Sequence, residues 1–218
     1  MSKRICLIFR SGTGNIFFPI VCLVMLCLLL YSNAFAEFEI HYLDVGEGDS
    51  AIVVCDGEVM IIDGGLPGAS SKVYSYLRDT LSVTRVKYMV ATHPDDDHIG
   101  GLAAVLNAVP VDLILSPTRK LDSSSRFQDI VRYAQKSGTP IDIPYPEDIF
   151  DLGSATITIL ACNPNAKSTN GMSICLRIDY GNTSFLFSSE GRSIPGRPLQ
   201  RVGNKPTARP LYLPDNLR

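Results

Sequence analysis

Apolar and polar residues alternate through "FEIHYLDV", which predicts a strand over residues 38–45. "GEGD" then turns the chain. "SAIVVC" and "VMIIDGG" predict two more strands, joined by a hairpin turn at "DGE", residues 56–58. The period changes at "SSKVYSYLRDTL", which predicts a helix capped by Ser70 or Ser71. "VKYMVAT" is a continuous apolar run and predicts a buried strand. "GGLAAVLNAV" predicts a short helix and "VDLILS" a further strand. "SSSRFQDIVRYAQKSG" carries a serine cap region, an apolar stripe of Phe127, Ile130, Val131 and Ala134, and a closing Gly138, so it predicts a well-marked helix. "SATITILAC" predicts a strand, and "MSICLRIDYGNTSFLFSS" a hairpin through "YGNT". Strand and helix alternate in the middle while hairpins flank them. That pattern predicts a sheet-rich, layered α/β domain.

The two ends depart from this rhythm. Lys3, Arg4 and Arg10 precede the apolar run "IFFPIVCLVMLCLLLY", and "SNAFAE" follows with small residues at Ala34 and Ala36. This order predicts a signal peptide over residues 1–36, cleaved after Ala36, and a secreted or periplasmic protein with no stable membrane span after cleavage. The alternative is an uncleaved membrane anchor, because the run approaches spanning length. The core domain is then residues 37–191. The last stretch, 192–218, holds five prolines and no clear periodicity, and reads as an irregular Pro/Arg-rich tail.

Three of the six cysteines fall in the leader, leaving Cys55, Cys162 and Cys175. An odd number argues against a disulfide framework. One bridge, or buried free thiols in strands, are the two readings left. Charge divides the chain more sharply. Residues 37–191 carry 11 Lys and Arg against 21 Asp and Glu, whereas 192–218 carry six basic residues and one acid. So acidic a body excludes a nucleic-acid groove unless metal ions supply the positive charge.

The candidate chemistry sits in "ATHPDDDHIGG", residues 91–101, directly after the buried strand. Three adjacent aspartates lie between two of the chain's three histidines. Such carboxylates repel one another unless a cation joins them. Imidazole with carboxylate suits zinc or manganese, so the pattern H-x-D-x-D-H predicts a divalent metal site of one or two ions at His93, Asp95, Asp97 and His98. Alternate residues leaving a strand point one way, which lets His93, Asp95 and Asp97 converge, while His98 at a helix start turns toward a second ion. Asp96 is expected to point outward. Pro94 stiffens the loop, and Gly100 and Gly101 allow close packing behind it. A solvated acidic turn with helix-capping carboxylates explains one or two of the aspartates, but not both histidines. His41 in the first strand reads as structural, and "DGG" at Asp63 reads as a plain turn as readily as a functional one. Tyr74, Tyr76 and Tyr88 read as packing residues.

Taken in order, "HYLDVGEGDSAIVV", "MIIDGG", "THPDDDHIGGL" and "MSICLRIDYGNTSFLFSSE" resemble the metallo-β-lactamase-fold hydrolases. The most similar branch is the extracellular domain of the competence protein ComEC and its stand-alone secreted relatives. The resemblance covers about residues 38–190. It implies an αββα sandwich and a metal-dependent hydrolase, and the competence branch is associated with cutting DNA phosphodiester bonds. It implies a first metal on His93 and Asp95 and a second on Asp97 and His98, with Asp97 catalytic in orienting the attacking water. It gives Asp44, Asp49 and Asp63 roles in support and loop structure, and sets Asn170 and Ser173 where relatives supply a further ligand. Two departures follow. Where relatives carry a bridging aspartate after Thr-Gly, this chain has "SSE", so Glu190 becomes the candidate metal bridge. No histidine follows His98, and the ending does not resemble the family's, so the second half of the sandwich is expected to be incomplete. The reading is a secreted phosphodiesterase or nuclease with DNA as a partner. The alternatives are an inactive or metal-binding-only member, and a hydrolase of a small ester, lactone or β-lactam.

Overall fold

The computed structural model describes Val21, residues 37–119 and residues 123–188. Apart from Val21, residues 1–36 therefore lie outside the described residues, as do the Pro/Arg-rich stretch 192–218 and Glu190. The chain divides into two units, Met1–Phe35 and Ala36–Arg218, and the architecture below is that of the second.

Among the described residues, ten strands form two sheets. The first runs β1 (Phe38–Tyr42), β2 (Ala51–Cys55), β3 (Glu58–Ile62), β4 (Val86–Val90), β5 (Val111–Leu115) and β6 (Ile141–Asp142), in that spatial order. The hairpins pair β1–β2–β3 antiparallel, and helical crossovers pair β3–β4–β5–β6 parallel. The second sheet has the order β10 (Thr183–Ser188), β9 (Cys175–Tyr180), β8 (Ala155–Ala161), β7 (Ile149–Leu152), all antiparallel. Period-two alternation decides which face is buried. In β8 and β9, Ile157, Ile159, Leu176 and Ile178 point inward onto Val53, Met60, Ile62 and Leu115 of the first sheet. Thr156, Thr158, Arg177 and Asp179 alternate with them.

The opposite face of the first sheet is covered by helices. These are α1 (Ser70–Ser75, continuing as a π-helical turn, Tyr76–Thr80), α2 (Asp96–Ile99), α3 (Leu102–Ala108) and α4 (Ser125–Ser137). Val73, Leu77, Ile99, Leu102, Phe127 and Ile130 share one core with Ile61, Met89 and Ile114. Every described helix with a buried apolar residue packs on this sheet. The described residues thus build three layers: helices, sheet, sheet.

Several boundaries differ from the sequence pattern. The first strand ends at Tyr42, and one further bond in the same register, Leu43 N donating to Ser50 O at 2.9 Å, closes the ladder before the chain turns. Neither Ser70 nor Ser71 caps α1 through its side chain. The helix is entered through a 3-10 turn, Pro67–Ala69, and Ser70 Oγ donates back to Pro67 O at 2.5 Å. Strands β6 and β7 carry no strong periodic signal and emerge from pairing with β5 and β8, whereas the short helix α5 (Thr169–Met172) is capped locally by Ser168, which accepts from Gly171 N at 3.2 Å. For α4 the serine cap is Ser124, which accepts from Phe127 N at 3.1 Å, and Gly138 ends the helix in the left-handed region at φ 73°.

Candidate metal centre

Strand β4 is apolar because it is buried on both faces, and it must end where polar side chains take over. The ladder continues one step, with Ala91 N donating to Leu115 O, and Thr92–His93–Pro94 then leave the sheet. Asp95 is extended at the N-cap of α2, and the single turn that follows swings His98 back toward His93. Two other loops close around this one at the same end of the sandwich: the β1–β2 loop with Asp44–Asp49, and Asp63–Gly64–Gly65 after β3.

The three loops interlock through their backbones. Gly64 N donates to His98 O at 2.6 Å, Gly65 N to Asp49 O at 2.9 Å and Gly101 N to Gly65 O at 3.1 Å. The fit leaves no room for side chains at the crossings. A Cβ on Gly48 would stand 1.7 Å from the Asp97 carbonyl oxygen, and one on Gly101 would stand 2.2 Å from that of Gly64.

Asp63 is the hub. It is buried, and its φ of 56° lies in the left-handed region that aspartate tolerates better than most residues. Its Oδ1 accepts from Thr92 N at 2.8 Å, and its Oδ2 accepts from Thr92 Oγ1 at 2.6 Å and from His98 Nδ1 at 2.9 Å. Ser50 Oγ donates to Asp63 O at 3.2 Å. This network assigns both histidines. His98 donates its Nδ1–H to the carboxylate, which leaves Nε2 to face outward. The Thr92 hydroxyl has one proton and gives it to Asp63, so its oxygen accepts from His93 Nδ1 at 3.2 Å. His93 Nε2 is thereby the second imidazole nitrogen with a lone pair to offer.

Those two nitrogens face carboxylates. His93 Nε2 is 3.5 Å from Asp95 Oδ2, and His98 Nε2 is 3.7 Å from Asp97 Oδ2. Both rings are buried, with centroids 4.0 Å apart, whereas Asp95 and Asp97 are about one-third exposed. Asp49 Oδ2 lies 4.0 Å from His98 Nδ1. Burial works against a charge on His98. The hydrogen bond and charge of Asp63, with the charges of Asp97 and Asp49, outweigh it and raise the imidazole to about 9, so near neutral pH Nε2 also carries a proton, which a cation bound there would replace.

The donor set fits a divalent cation. Two imidazoles with fixed tautomers and two carboxylates form pairs, His93 with Asp95 and Asp97 with His98. A carboxylate behind each ligating ring is the usual support of a metal-binding histidine, and here Asp63 serves one ring directly and the other through Thr92. Among the described residues no three metal-ligating side chains converge on one point.

The remaining expected residues lie around this centre. Asp96 is exposed. Asp44 is also exposed; it accepts from Gly46 N at 3.2 Å and pairs with Lys72 at 3.3 Å, which shapes the β1–β2 loop. Ser173 Oγ donates to Asn170 O at 2.7 Å, and Ile174 N donates to Thr92 O at 2.8 Å, tying the start of β9 to the His93 loop. His41 stands apart between Tyr76 OH at 3.1 Å and Glu39 at 2.8 Å. Tyr74 lies under Arg78, and Tyr88 packs edge-on against Phe150. Among the described residues Cys55, Cys162 and Cys175 are free thiols, and burial raises Cys162 and Cys175 to about 11. Thr92 is the residue that sequence reasoning passed over. Its signal was its place, one step before the first histidine and at the end of a buried strand.

The Metallo-beta-lactamase superfamily profile matches residues 43–188, from the loop after β1 to the end of β10. The chain belongs to the metallo-beta-lactamase superfamily. Among its relatives, "ComE operon protein 3" of Bacillus subtilis (strain 168) is 24% identical over 189 residues, covering 78% of this chain and 24% of that protein. "Recombination protein 2" of Haemophilus influenzae is 28% identical over 108 residues, covering 47% of this chain and 14% of that protein. The chain thus spans about a quarter, or less, of the length of these relatives. Both support the competence-type branch that the sequence resembles. Among solved structures, the Cronobacter sakazakii metallo-beta-lactamase with a HARLDQ motif superposes with a TM-score of 0.51 at 14% identity, covering 73% of this chain and 62% of that one. The metallo-beta-lactamase SMB-1 gives 0.50 at 16% identity, covering 71% and 62%. At these identities the structures share the fold.

Proposed function

We propose that this metallo-beta-lactamase superfamily hydrolase is a metal-dependent phosphodiesterase that acts on nucleic acid outside the cytoplasm. The observation that carries the reading is the Asp63–Thr92 network, which turns the Nε2 atoms of His93 and His98 toward Asp95 and Asp97. His93 with Asp95, and Asp97 with His98, would hold one or two divalent cations, zinc or manganese by ligand type. A cation bound there supplies Lewis acidity toward a phosphoryl oxygen and acidifies water. The chain's own residues do the rest. Asp63 and Thr92 hold the rings in one tautomer, and Asp97, one-third exposed beside His98, orients the attacking water and takes its proton. Glu190, which follows β10, is the candidate to join the two halves.

The phosphodiester class is favoured by charge. The end of the sandwich that holds the site displays Asp44, Glu47, Asp49 and residues 95–97, all acids. An anionic substrate approaches it only when cations occupy the centre. Nucleic acid is favoured by the relatives, one of which is named for recombination. The leader pattern supports export. The test is hydrolysis of bis(p-nitrophenyl) phosphate and of a DNA oligonucleotide, with manganese or zinc and then with a chelator. Metal-dependent turnover of both is expected, with a loss of about 100-fold or more in Asp97→Ala. Nitrocefin turnover above that of the phosphodiesters, or turnover untouched by the chelator, contradicts the reading.

A further inference from the structure

Among the described residues, the cations at the catalytic end of the sandwich are few. Lys72 is bound to the Asp44 carbonyl and carboxylate, and Lys167 is exposed on the loop after β8. Arg119 differs from both because it is held in a defined place. It follows β5, in the loop that leads to α4. Its Nε donates to Ile141 O at 3.0 Å, and one terminal nitrogen donates to Asp142 Oδ1 at 2.7 Å. The side chain is nevertheless 61% exposed.

The strand register sets its distance from the centre. Val90 of β4 pairs with Leu115 of β5, and Leu115 pairs with Asp142 of β6, so the three stand in one row across the sheet. His93 lies just past the end of β4, whereas the Arg119 guanidinium is anchored over the end of β6. Two strand spacings, roughly 10 Å, separate them across the sheet, and His93 lies three residues beyond the Val90 row, so the full distance is larger. That is too far to touch the bond being broken, and it suits a phosphate further along the strand. A planar, always charged guanidinium whose remaining N–H groups no described residue engages is suited to a phosphate oxygen. Its present partner does not prevent this, since an exposed ion pair with Asp142 contributes little and can be shared.

We infer that Arg119 binds a flanking phosphate of a polynucleotide, making the chain selective for nucleic acid over small phosphodiesters. The inference rests on the phosphodiesterase reading above. Arg119→Ala raises KM for a single-stranded oligonucleotide several-fold at low salt and leaves kcat nearly unchanged. It leaves kcat/KM for bis(p-nitrophenyl) phosphate unchanged, which also shows that the centre is folded. The slope of log KM against log salt becomes shallower by about 0.7, the loss of one phosphate contact on a single strand. Arg119→Lys restores most of that slope.

A structural role predicts something else. If Arg119 only pins the edge strand β6, then Asp142→Ala, which removes its side-chain partner and keeps its charge, reproduces the Arg119→Ala defect. That result overturns the inference, as does an unchanged oligonucleotide KM in Arg119→Ala. Retained or lowered oligonucleotide KM in Asp142→Ala supports it. An unmodified chain inactive on both substrates overturns the phosphodiesterase reading and this inference together. Activity on both substrates with no Arg119 effect overturns this inference alone.

Discussion

At the scale of single residues, the site depends on two polar groups behind the ligands. Asp63 and Thr92 are buried and satisfied, and together they decide which nitrogen each histidine presents. The spacing of His93, Asp95, Asp97 and His98 was legible because like charge at the end of an apolar strand demands a counter-ion. The role of Asp63 was not, since "DGG" looks the same whether it makes a turn or holds a histidine 35 positions away. The glycines show the same limit. Gly48 reads as a turn residue, yet it is a contact point between two loops. Its φ is +87°, and a Cβ added to it would stand 1.7 Å from the Asp97 carbonyl oxygen. Gly48→Ala combines backbone strain with a clash against backbone, at a cost of about 2 kcal/mol or more. The thermal unfolding midpoint of the variant is expected to fall by roughly 5 °C or more. An unchanged midpoint would mean that the β1–β2 loop does not press on the Asp97 turn.

At the scale of elements, long periodic segments announced themselves and short pairings did not. Helix α4 has its cap, stripe and terminal glycine in sequence, and it forms as those signals specify. Strand β7 has four residues and an exposed Ile149, so its existence depends on the partner β8. What holds that hairpin is a pair of carboxylates from the β2–β3 turn at the end opposite the site. Asp56 Oδ2 accepts from Ser154 N at 2.7 Å, and Glu58 Oε2 accepts from Gly153 N at 2.6 Å and from Lys87 Nζ at 2.6 Å. The Lys87 hydrogen bond, then the Gly153 N–H, lowers the pKa of Glu58, and the Ser154 hydrogen bonds lower that of Asp56. A carboxyl with a depressed folded-state pKa stabilises the fold above its unfolded value and loses that contribution as the pH falls. The urea midpoint is therefore expected to drop as the pH falls below about 5. In Glu58→Gln that drop shrinks, because one of the contributing carboxyls is gone. An identical pH profile in the variant would mean that these carboxylates do not staple the hairpin.

At the scale of the whole molecule, the layered α/β class was readable from alternating strands and helices flanked by hairpins. The division into two sheets came from the family resemblance and not from periodicity, which reports which face is buried and not which strand lies next. The register brings the ends of β4, β5 and β6, the β1–β2 loop and the start of β9 to one end, and there the acidic loop becomes a centre. The claim on which the rest depends is that this centre binds metal. The most direct measurement is the metal content of the purified, folded chain by elemental mass spectrometry, beside a His93→Ala/Asp97→Ala double variant. At least about one zinc or manganese ion per chain is expected, and about two if each histidine–aspartate pair holds its own, with the metal lost from the double variant. A folded chain that carries no metal after incubation with either ion, or a double variant that retains it, would contradict the claim.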